Sequence, residues 1–271
     1  MVAITALFVF IGRLVGGEVG MIIALGLAIV MNFGSFWFSD KLVISMTRAQ
    51  PVTPAQAPEL HAMVDRLARK AGIPKPAVYI VNDPSPNAFA TGRSPSRAAV
   101  AVNAGLLNIL NQDEVEGVVA HEIAHIKHRD TLTMAVVASI AGAIMMLAQF
   151  AQFAAIFGGG RSDDGEGGNP LVLLLVAIVA PIAALAVQMG ISRAREFEAD
   201  RLGAELAGSP HGLANALRKL ESGVQAQPGH IAPQAAHMCI VNPFGGLSGV
   251  ANLFRTHPLT ADRIKKLMAL A

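Results

Sequence analysis

Long uncharged and mostly apolar runs alternate with polar stretches along this chain. The three longest runs occupy residues 19–39, 131–160 and 167–192. At 1.5 Å per residue, each is long enough as a helix to cross the roughly 30 Å hydrocarbon layer of a membrane. The pattern predicts three membrane-spanning helices, and the last two form a hairpin over residues 131–192 with a short external loop at about 158–169.

The first residues of the chain are also apolar, but Arg13 interrupts them after a run too short to span a membrane. A further span forms if the helix continues through Gly17 and the Arg13 side chain extends to the interface. A natural start upstream of Met1 and a cleaved signal peptide are the other interpretations, although a signal peptide normally carries a basic segment that is missing here. Residues 1–40 are therefore expected to hold two transmembrane helices, and the sequence does not decide whether the first is a full span.

Two polar segments, residues 41–130 and 193–271, lie on either side of the predicted hairpin and are expected to form one globular lobe. Helical periodicity marks "ELHAMVDRLARKAG", which ends at Gly72, and residues 113–130. Short β-branched runs at 78–81 and 98–102 predict a small sheet with a hairpin. The predicted fold class is mainly α and integral to a membrane, with four transmembrane helices and an α+β lobe.

Composition and charge agree with a membrane protein and suggest its orientation. Hydrophobic residues make up 53% of the chain, charged residues only 15%, and the mean hydropathy is +0.49. Ten Lys or Arg lie in residues 41–129, whereas the loop at 158–169 has one Arg and three acidic residues, so the lobe is expected on the cytoplasmic side of the cell (inner) membrane. A net charge of +2 without long basic runs argues against a nucleic-acid partner. The lone Cys239 excludes an internal disulfide.

A motif with metal-binding spacing, "HEIAH", lies near the end of the helix predicted at 113–130. On a helix, His121 and His125 lie one turn apart on one face, where both imidazoles can bind one Zn²⁺ at about 2.0 to 2.1 Å. Glu122 has the position of a general base that takes a proton from the attacking water and passes it to the leaving amine. The alternative is a surface helix with two ordinary histidines. His128 lies roughly 10 Å from His121 along an unbroken helix, too far to share the ion.

A third ligand is expected in "SRAREFEADRLGAEL", directly after the predicted hairpin. Glu196 and Asp200 are four residues apart and share one helical face. Glu196 can bind the metal while Asp200 accepts a hydrogen bond from a ligand imidazole. The alternative is an acidic surface helix whose carboxylates pair with neighbouring arginines. Asp130 can orient a neighbouring group or simply lie at the water boundary.

Together "HEIAH" with Asp130, "EFEAD", "NAFATG" and "THPLTADRI" resemble the HtpX-type membrane zinc metalloproteases, relatives of the CAAX prenyl endopeptidases. The resemblance implies a gluzincin-like fold with one Zn²⁺ per chain on His121, His125 and Glu196, and Glu122 as the base. It also implies an endopeptidase that cleaves misfolded or damaged membrane proteins under stress. Those substrates, the lipid bilayer and other membrane quality-control proteases are the expected partners.

The resemblance implies further roles near the active site. His257 and Arg263 are expected to stabilise the oxyanion of the reaction. Without the resemblance, His257 is a turn residue before Pro258 and Arg263 is a charge on a helix surface. A segment that precedes the motif supplies a strand edge for an extended substrate, or is an ordinary hairpin loop; its residues are Asn87, Ala88, Phe89 and Ala90.

Three rivals fit the sequence less well. An intramembrane protease carries its His-Glu motif inside a span, whereas here polar residues separate the motif from the apolar run. A prenyl-protein endopeptidase needs a larger membrane chamber built from more spans. The non-enzymatic rival is a zinc-binding membrane scaffold or transporter, and transport would place polar ligands within the spans, where only Gln149, Gln152 and Gln188 are long and polar. The sequence therefore predicts a zinc metalloendopeptidase of broad specificity.

Overall fold

The computed structural model describes residues 17–27, 39–134, 170–226 and 258–271, together with seven isolated residues: Val9, Val30, Trp37, Val137, Ile144, Ala148 and Ile240. The chain divides into two compact units. One comprises Met1–Phe36 and Met134–Gly190, and the other comprises Trp37–Thr133 and Ile191–Ala271. All the site residues discussed below belong to the second unit.

The helices and strands follow one another along the chain as two separated groups. The first group precedes the predicted hairpin and comprises α1 (Ser39–Thr47), β1 (Gln50–Pro51), α2 (Pro58–Ala71), β2 (Ala77–Val81), β3 (Ala88–Thr91), β4 (Ala99–Asn103), α3 (Ala104–Ile109) and α4 (Gln112–His128). A short 3₁₀ turn at Pro95–Arg97 lies between β3 and β4. The second group comprises α5 (Pro170–Ala207), α6 (His211–Ala226) and α7 (Thr260–Met268).

The sheet is small and mixed, with the strand order β1-β2-β4-β3. The runs predicted as strands are β2 and β4, and they pair in parallel. The predicted hairpin is formed instead by β3 and β4, which are consecutive and antiparallel. Val100 and Val102 of β4 face the main core, whereas Phe89 and Ala101 face a smaller cluster with Val43 of α1. Both faces of the sheet are therefore covered.

Helix α2 follows its apolar pattern and ends where the sequence predicts. Leu60, Val64 and Leu67 are buried on one side, as expected for residues three and four apart. Gly72 takes the left-handed conformation (φ 70°) and its N–H caps the last carbonyls, a common helix end because glycine has no Cβ to clash. This helix packs beside the sheet and forms part of the core around α4.

Helix α4 runs through the centre of this core. Asn111 and Glu114 form a capping box at its start, which satisfies two backbone N–H groups that lack partners inside the helix. Neighbouring helices approach it closely at glycines: a Cβ on Gly117 would lie 2.4 Å from the backbone N of Leu213, and a Cβ on Gly203 would lie 3.0 Å from Cα of His121. Such contacts leave α4 buried and bring α5 directly against His121.

The four predicted spans are only partly within the described residues. Helix α5 is continuous over 38 residues and includes residues 170–192 of the last predicted span. Where the structure describes both backbone and side chains, no helix is long and apolar enough to cross a membrane. The described ranges leave out, apart from single residues, most of the first span, residues 135–160 of the third span and the whole connecting loop. The four-span arrangement stays a prediction, while the mainly helical lobe with a small sheet is confirmed.

Candidate active site

Helix α4 brings its two histidines to one point. Nε2 of His121 and Nε2 of His125 are 3.1 Å apart, and the two rings stand almost perpendicular to each other. His121 is 1% exposed, whereas the side chain of His125 is 20% exposed. The four-residue spacing therefore places two nitrogen donors side by side, one deep in the fold and one nearer its surface.

Helix α5 adds Glu196 to this pair. Its carboxylate oxygens lie 3.8 Å from Nε2 of His121 and 3.6 Å from Nε2 of His125. Two donors bound about 2.0 to 2.1 Å from one tetrahedral ion are about 3.3 to 3.4 Å apart, and the observed separations of 3.1 to 3.8 Å bracket this value. The three residues offer one ligand atom each within 4.8 Å of one another. Two imidazoles and a carboxylate fit a catalytic zinc site, which keeps its fourth position open.

Glu122 lies beside this group and is poised to exchange protons near neutral pH. Its side chain is buried, and burial raises its pKa to about 7 despite the nearby charge of His125. The backbone N–H of Ala90 donates a hydrogen bond to its carboxylate, which holds the group at the end of β3. A carboxylate with a pKa near 7 can both accept and release a proton during one turnover.

His121 contacts two further residues, Asp200 at Nδ1 and Arg263 at 3.4 Å from Nε2, and we call His121, Asp200 and Arg263 the inner cluster. Nδ1 of His121 lies 2.9 Å from Oδ1 of Asp200. Arg263 binds the same carboxylate twice, at 2.8 and 2.6 Å. Burial alone would raise the pKa of Asp200, but the charge of Arg263 and the hydrogen bonds lower it to about 2. Asp200 is thus ionised and lies at ion-pair distance from the imidazole nitrogen that points away from the other ligands.

His125 is held in a similar way, and we call His125, Asp130 and Arg195 the outer cluster. Nδ1 of His125 and Oδ2 of Asp130 are 2.7 Å apart. The other oxygen of Asp130 accepts hydrogen bonds from the guanidinium of Arg195. Burial opposes protonation of His125, but the bond to Asp130 and the charges of Glu196 and Glu122 outweigh it and raise the pKa of His125 to about 9. The surroundings of His125 therefore favour positive charge, as a cation site requires.

Arg263 lies in the interior and joins several parts of the fold. It is 1% exposed, so the helix-surface position that the sequence alone suggests is wrong. Besides Asp200, its guanidinium lies 3.4 Å from Glu196 and donates to the backbone carbonyl of Ile240 at 2.7 Å. These contacts make Arg263 the cation that balances the buried carboxylates. His257, the other residue expected near the oxyanion, lies outside the described residues.

The expected substrate segment forms the edge of the sheet. Ala88, Phe89 and Ala90 belong to β3, the last strand in the sheet order. The side chain of Asn87 accepts a hydrogen bond from the N–H of Ile240, and its backbone carbonyl accepts one from Asn103. Asn87 is therefore engaged within the fold, and Ala90 is the residue of this segment that contacts Glu122.

Two participants have no clear signal in the sequence. Arg195 looks like one of several charges that follow an apolar run, and nothing in its spacing links it to Asp130, far upstream. Ile240 enters the site only through its backbone. The sequence left Asp130 open between orienting a neighbouring group and lying at the water boundary. Only tertiary packing brings these residues together.

Comparisons with known proteins agree with this geometry. A model of peptidase family M48 matches residues 54–271. The whole chain is 52% identical to a protein named protease HtpX homolog from Methylibium petroleiphilum, of which it covers 95%, and 53% identical to one of the same name from Pyrococcus furiosus, of which it covers 93%. The crystal structure of S. mikatae Ste24p shares the fold, with a TM-score of 0.62 at 18% identity over 97% of this chain; this chain spans 62% of that one.

Proposed function

The chain belongs to peptidase family M48 and is a metallopeptidase, and we propose that it is a membrane-bound zinc endopeptidase that cleaves misfolded or damaged membrane proteins at the cytoplasmic surface. The observation that carries this proposal is the convergence of His121, His125 and Glu196 within 4.8 Å. Glu122 lies beside them with a pKa raised by burial to about 7. These are a ligand set and a base suited to metal-assisted hydrolysis of a peptide bond.

We assign the metal to His121, His125 and Glu196, one zinc per chain. When bound, the ion acts as a Lewis acid that polarises the scissile carbonyl and makes a neighbouring water more acidic. Glu122 accepts the proton that this water loses and delivers it to the leaving nitrogen. Asp130 holds the imidazole of His125 by a hydrogen bond at Nδ1, and the carboxylate of Asp200 lies 2.9 Å from Nδ1 of His121, so that Nε2 of each ring is directed towards the ion.

The substrate is expected to lie along the outer edge of β3. The carbonyl of Asn87 accepts from Asn103 of β4, and because antiparallel pairing alternates, Ala88 and Ala90 turn their backbone groups away from β4. No described strand pairs with that edge. An extended polypeptide can therefore add itself as a further strand, through main-chain hydrogen bonds that do not depend on sequence. This mode suits unfolded chains, and it places a peptide bond beside Glu122, which contacts Ala90.

The membrane is proposed from the apolar runs and from their exposed side chains. In the first unit, Val19, Ile22 and Ile23 are each more than 60% exposed, and along α5 Leu175 and Ile182 are exposed to a similar degree. Apolar surface of this kind on helices from uncharged runs is typical of contact with lipid. Glu196 follows the last run by only a few residues, which supports an active site close to the membrane surface. Charge asymmetry between the loops supports the cytoplasmic side.

The stress-related role and the zinc identity rest on the resemblance and on the donor set. The likeness to Ste24p concerns the fold alone, so it favours no prenylated substrate. Endopeptidase activity on unfolded chains is the function that the site supports best.

A comparison of wild type with Glu122→Gln tests the proposed function. Both proteins should bind zinc, because glutamine keeps the shape of the side chain and Glu122 is not assigned as a ligand. Only the wild type should degrade casein in detergent, and we expect the variant to lose about 10²- to 10⁴-fold in rate because the proton acceptor is gone. Equal rates for the two proteins would rule out Glu122 as the base.

A further inference from the structure

We propose that Arg195 is a positioning residue for His125: by holding the carboxylate of Asp130, it keeps the imidazole directed at the metal site from across the junction between α4 and α5. This inference rests on the proposed function, because it takes His125 as a metal ligand. It concerns how that ligand is held, since the guanidinium of Arg195 contacts Asp130 and the backbone carbonyl of His128.

The contact between His125 and Asp130 depends on a break in the helix. Residues five apart on a regular α-helix point about 140° away from each other, so Asp130 could not reach His125 if α4 continued unchanged. Arg129 ends α4 in the left-handed conformation, with φ 56° and ψ 43°. This conformation is costly for a residue with a Cβ and persists only where its surroundings enforce it. The turn brings Oδ2 of Asp130 to 2.7 Å from Nδ1 of His125.

Asp130 needs a cation to stay in this position. It is 6% exposed, and a buried carboxylate without a positive partner is unfavourable and tends to turn towards water. Arg195 supplies the charge: its Nε and a terminal nitrogen both bind Oδ1, which leaves Oδ2 for His125. Arg195 also lies 3.5 Å from the carbonyl of His128, in the last turn of α4. Its guanidinium therefore joins the carboxylate to the end of the helix that carries the motif.

The position of Arg195 in the sequence gives this contact its significance. Arg195 directly precedes Glu196 on α5, so the residue that orients His125 belongs to the same helical turn as the third ligand. A displacement of α5 would move Glu196 and release Asp130 together. By contrast, Arg201 lies on the same helix but, within the described residues, pairs with Glu198 and Glu205 at the surface. Arg201 is thus a natural control for a charge on α5 that does not reach a ligand.

A purely structural role must be distinguished from positioning. If Arg195 only tied α5 to α4, removing it would lower stability and weaken the metal site independently of Asp130. If it acts through Asp130, removing it should have little further effect once the carboxylate is gone. Effects on residues that act through one another are not additive, and a double-mutant cycle measures this directly.

The test is zinc affinity, measured by competition with a chelator on the full-length protein in detergent. Arg195→Gln and Asp130→Asn should each weaken zinc binding by about 10- to 100-fold, the range for residues that orient a ligand. The double variant should be no weaker than Asp130→Asn alone. Arg195→Lys, which keeps the charge but loses the planar two-point geometry, should recover part of the affinity. Arg201→Gln should bind zinc like the wild type.

Two results would overturn the proposal: wild-type zinc affinity in Arg195→Gln, or a double variant whose loss is the product of the two single losses. Thermal unfolding of the metal-free variants separates a folding defect from a loss of affinity. A wild type that binds zinc but cleaves nothing would end the proposed function and leave this inference standing. A wild type that cleaves casein while Arg195→Gln keeps full zinc affinity would end this inference and leave the proposed function standing.

Discussion

The inner and outer clusters use the same three residue types, a histidine, an aspartate and an arginine, in different surroundings. In the inner cluster the arginine side chain is 2% exposed, and it binds both oxygens of its aspartate. In the outer cluster the arginine is 26% exposed and binds one oxygen. The difference indicates that the two clusters have different roles. The inner cluster is part of the core and holds the fold together, whereas the outer cluster can be altered at lower cost and mainly tunes the metal ligand.

Removing the arginine of the inner cluster should have the largest effect. Arg263→Met leaves the carboxylates of Asp200 and Glu196 buried without their cation, and breaking a buried ion pair in this way costs about 3 to 5 kcal/mol. We expect the free energy of unfolding, measured in urea on the metal-free protein, to fall by about this amount. The matched variant Arg195→Met should cost less, about 1 to 3 kcal/mol, because the Arg195 side chain is 26% exposed and water can fill the space that it leaves beside the buried Asp130. Equal losses for the two variants would contradict the division between the clusters.

The two clusters should also lose stability at opposite ends of the pH range in the metal-free protein. Arg263 and the hydrogen bonds depress the pKa of Asp200 from its ordinary 3.8 to about 2, so its contribution is present above pH 3.8 and is lost as the pH falls towards 2. The pKa of His125 is raised from 6.5 to about 9, so its contribution is present below pH 6.5 and is lost as the pH rises towards 9. Each loss should amount to about 1 to 3 kcal/mol.

Unfolding measured across this range would separate the two clusters. In a plot of unfolding free energy against pH, Asp200→Asn should flatten the acid side and leave the alkaline side unchanged. His125→Asn should flatten the alkaline side and leave the acid side unchanged. Zinc should suppress the alkaline loss, because a metal ligand must be neutral and binding replaces the proton. A profile in which both variants change the same side would show that the clusters are not independent.

The smallest effect is expected for charges on α5 that belong to neither cluster. Glu198 and Arg201 pair with each other at the surface, where solvent screens the interaction and long side chains lose entropy by pairing. Glu198→Gln and Arg201→Gln should therefore leave both the thermal midpoint and the casein-cleavage rate close to those of the wild type. A clear loss of activity in either variant would extend the functional surface of α5 beyond the two clusters.

The sequence predicts much of the fold wherever local chemistry decides it. The amphipathic pattern of α2 and its stop at Gly72 depend on neighbouring residues alone, and the structure confirms both. The spacing of His121, Glu122 and His125 likewise places these residues together on any helix. Glu196 was expected to return to this site because an apolar hairpin precedes it, and the structure brings it there.

What the sequence misses is decided by tertiary packing. Arg129 takes the left-handed conformation that glycine usually takes at a helix end, so the sequence does not predict the turn that carries Asp130 to His125. The parallel pairing of β2 with β4 needs a connection through β3, which the short apolar runs do not reveal. Arg263 lies on a helix with an otherwise ordinary polar face, and its burial depends on Asp200 from a distant helix. The pairing of β2 with β4 and the burial of Arg263 involve partners that are far apart in sequence, whereas the turn at Arg129 is local but has no glycine to mark it.

The central claim is that α4 and α5 share one metal, and the zinc content of Glu196→Gln tests it most directly. Glu198→Gln is the matched control, since it lies two residues further along the same helix and points to the surface. We predict one zinc per chain in the wild type and in Glu198→Gln, and a loss of about 100-fold or more in zinc affinity in Glu196→Gln, because one of three protein ligands is removed. Wild-type zinc affinity in Glu196→Gln would contradict the claim.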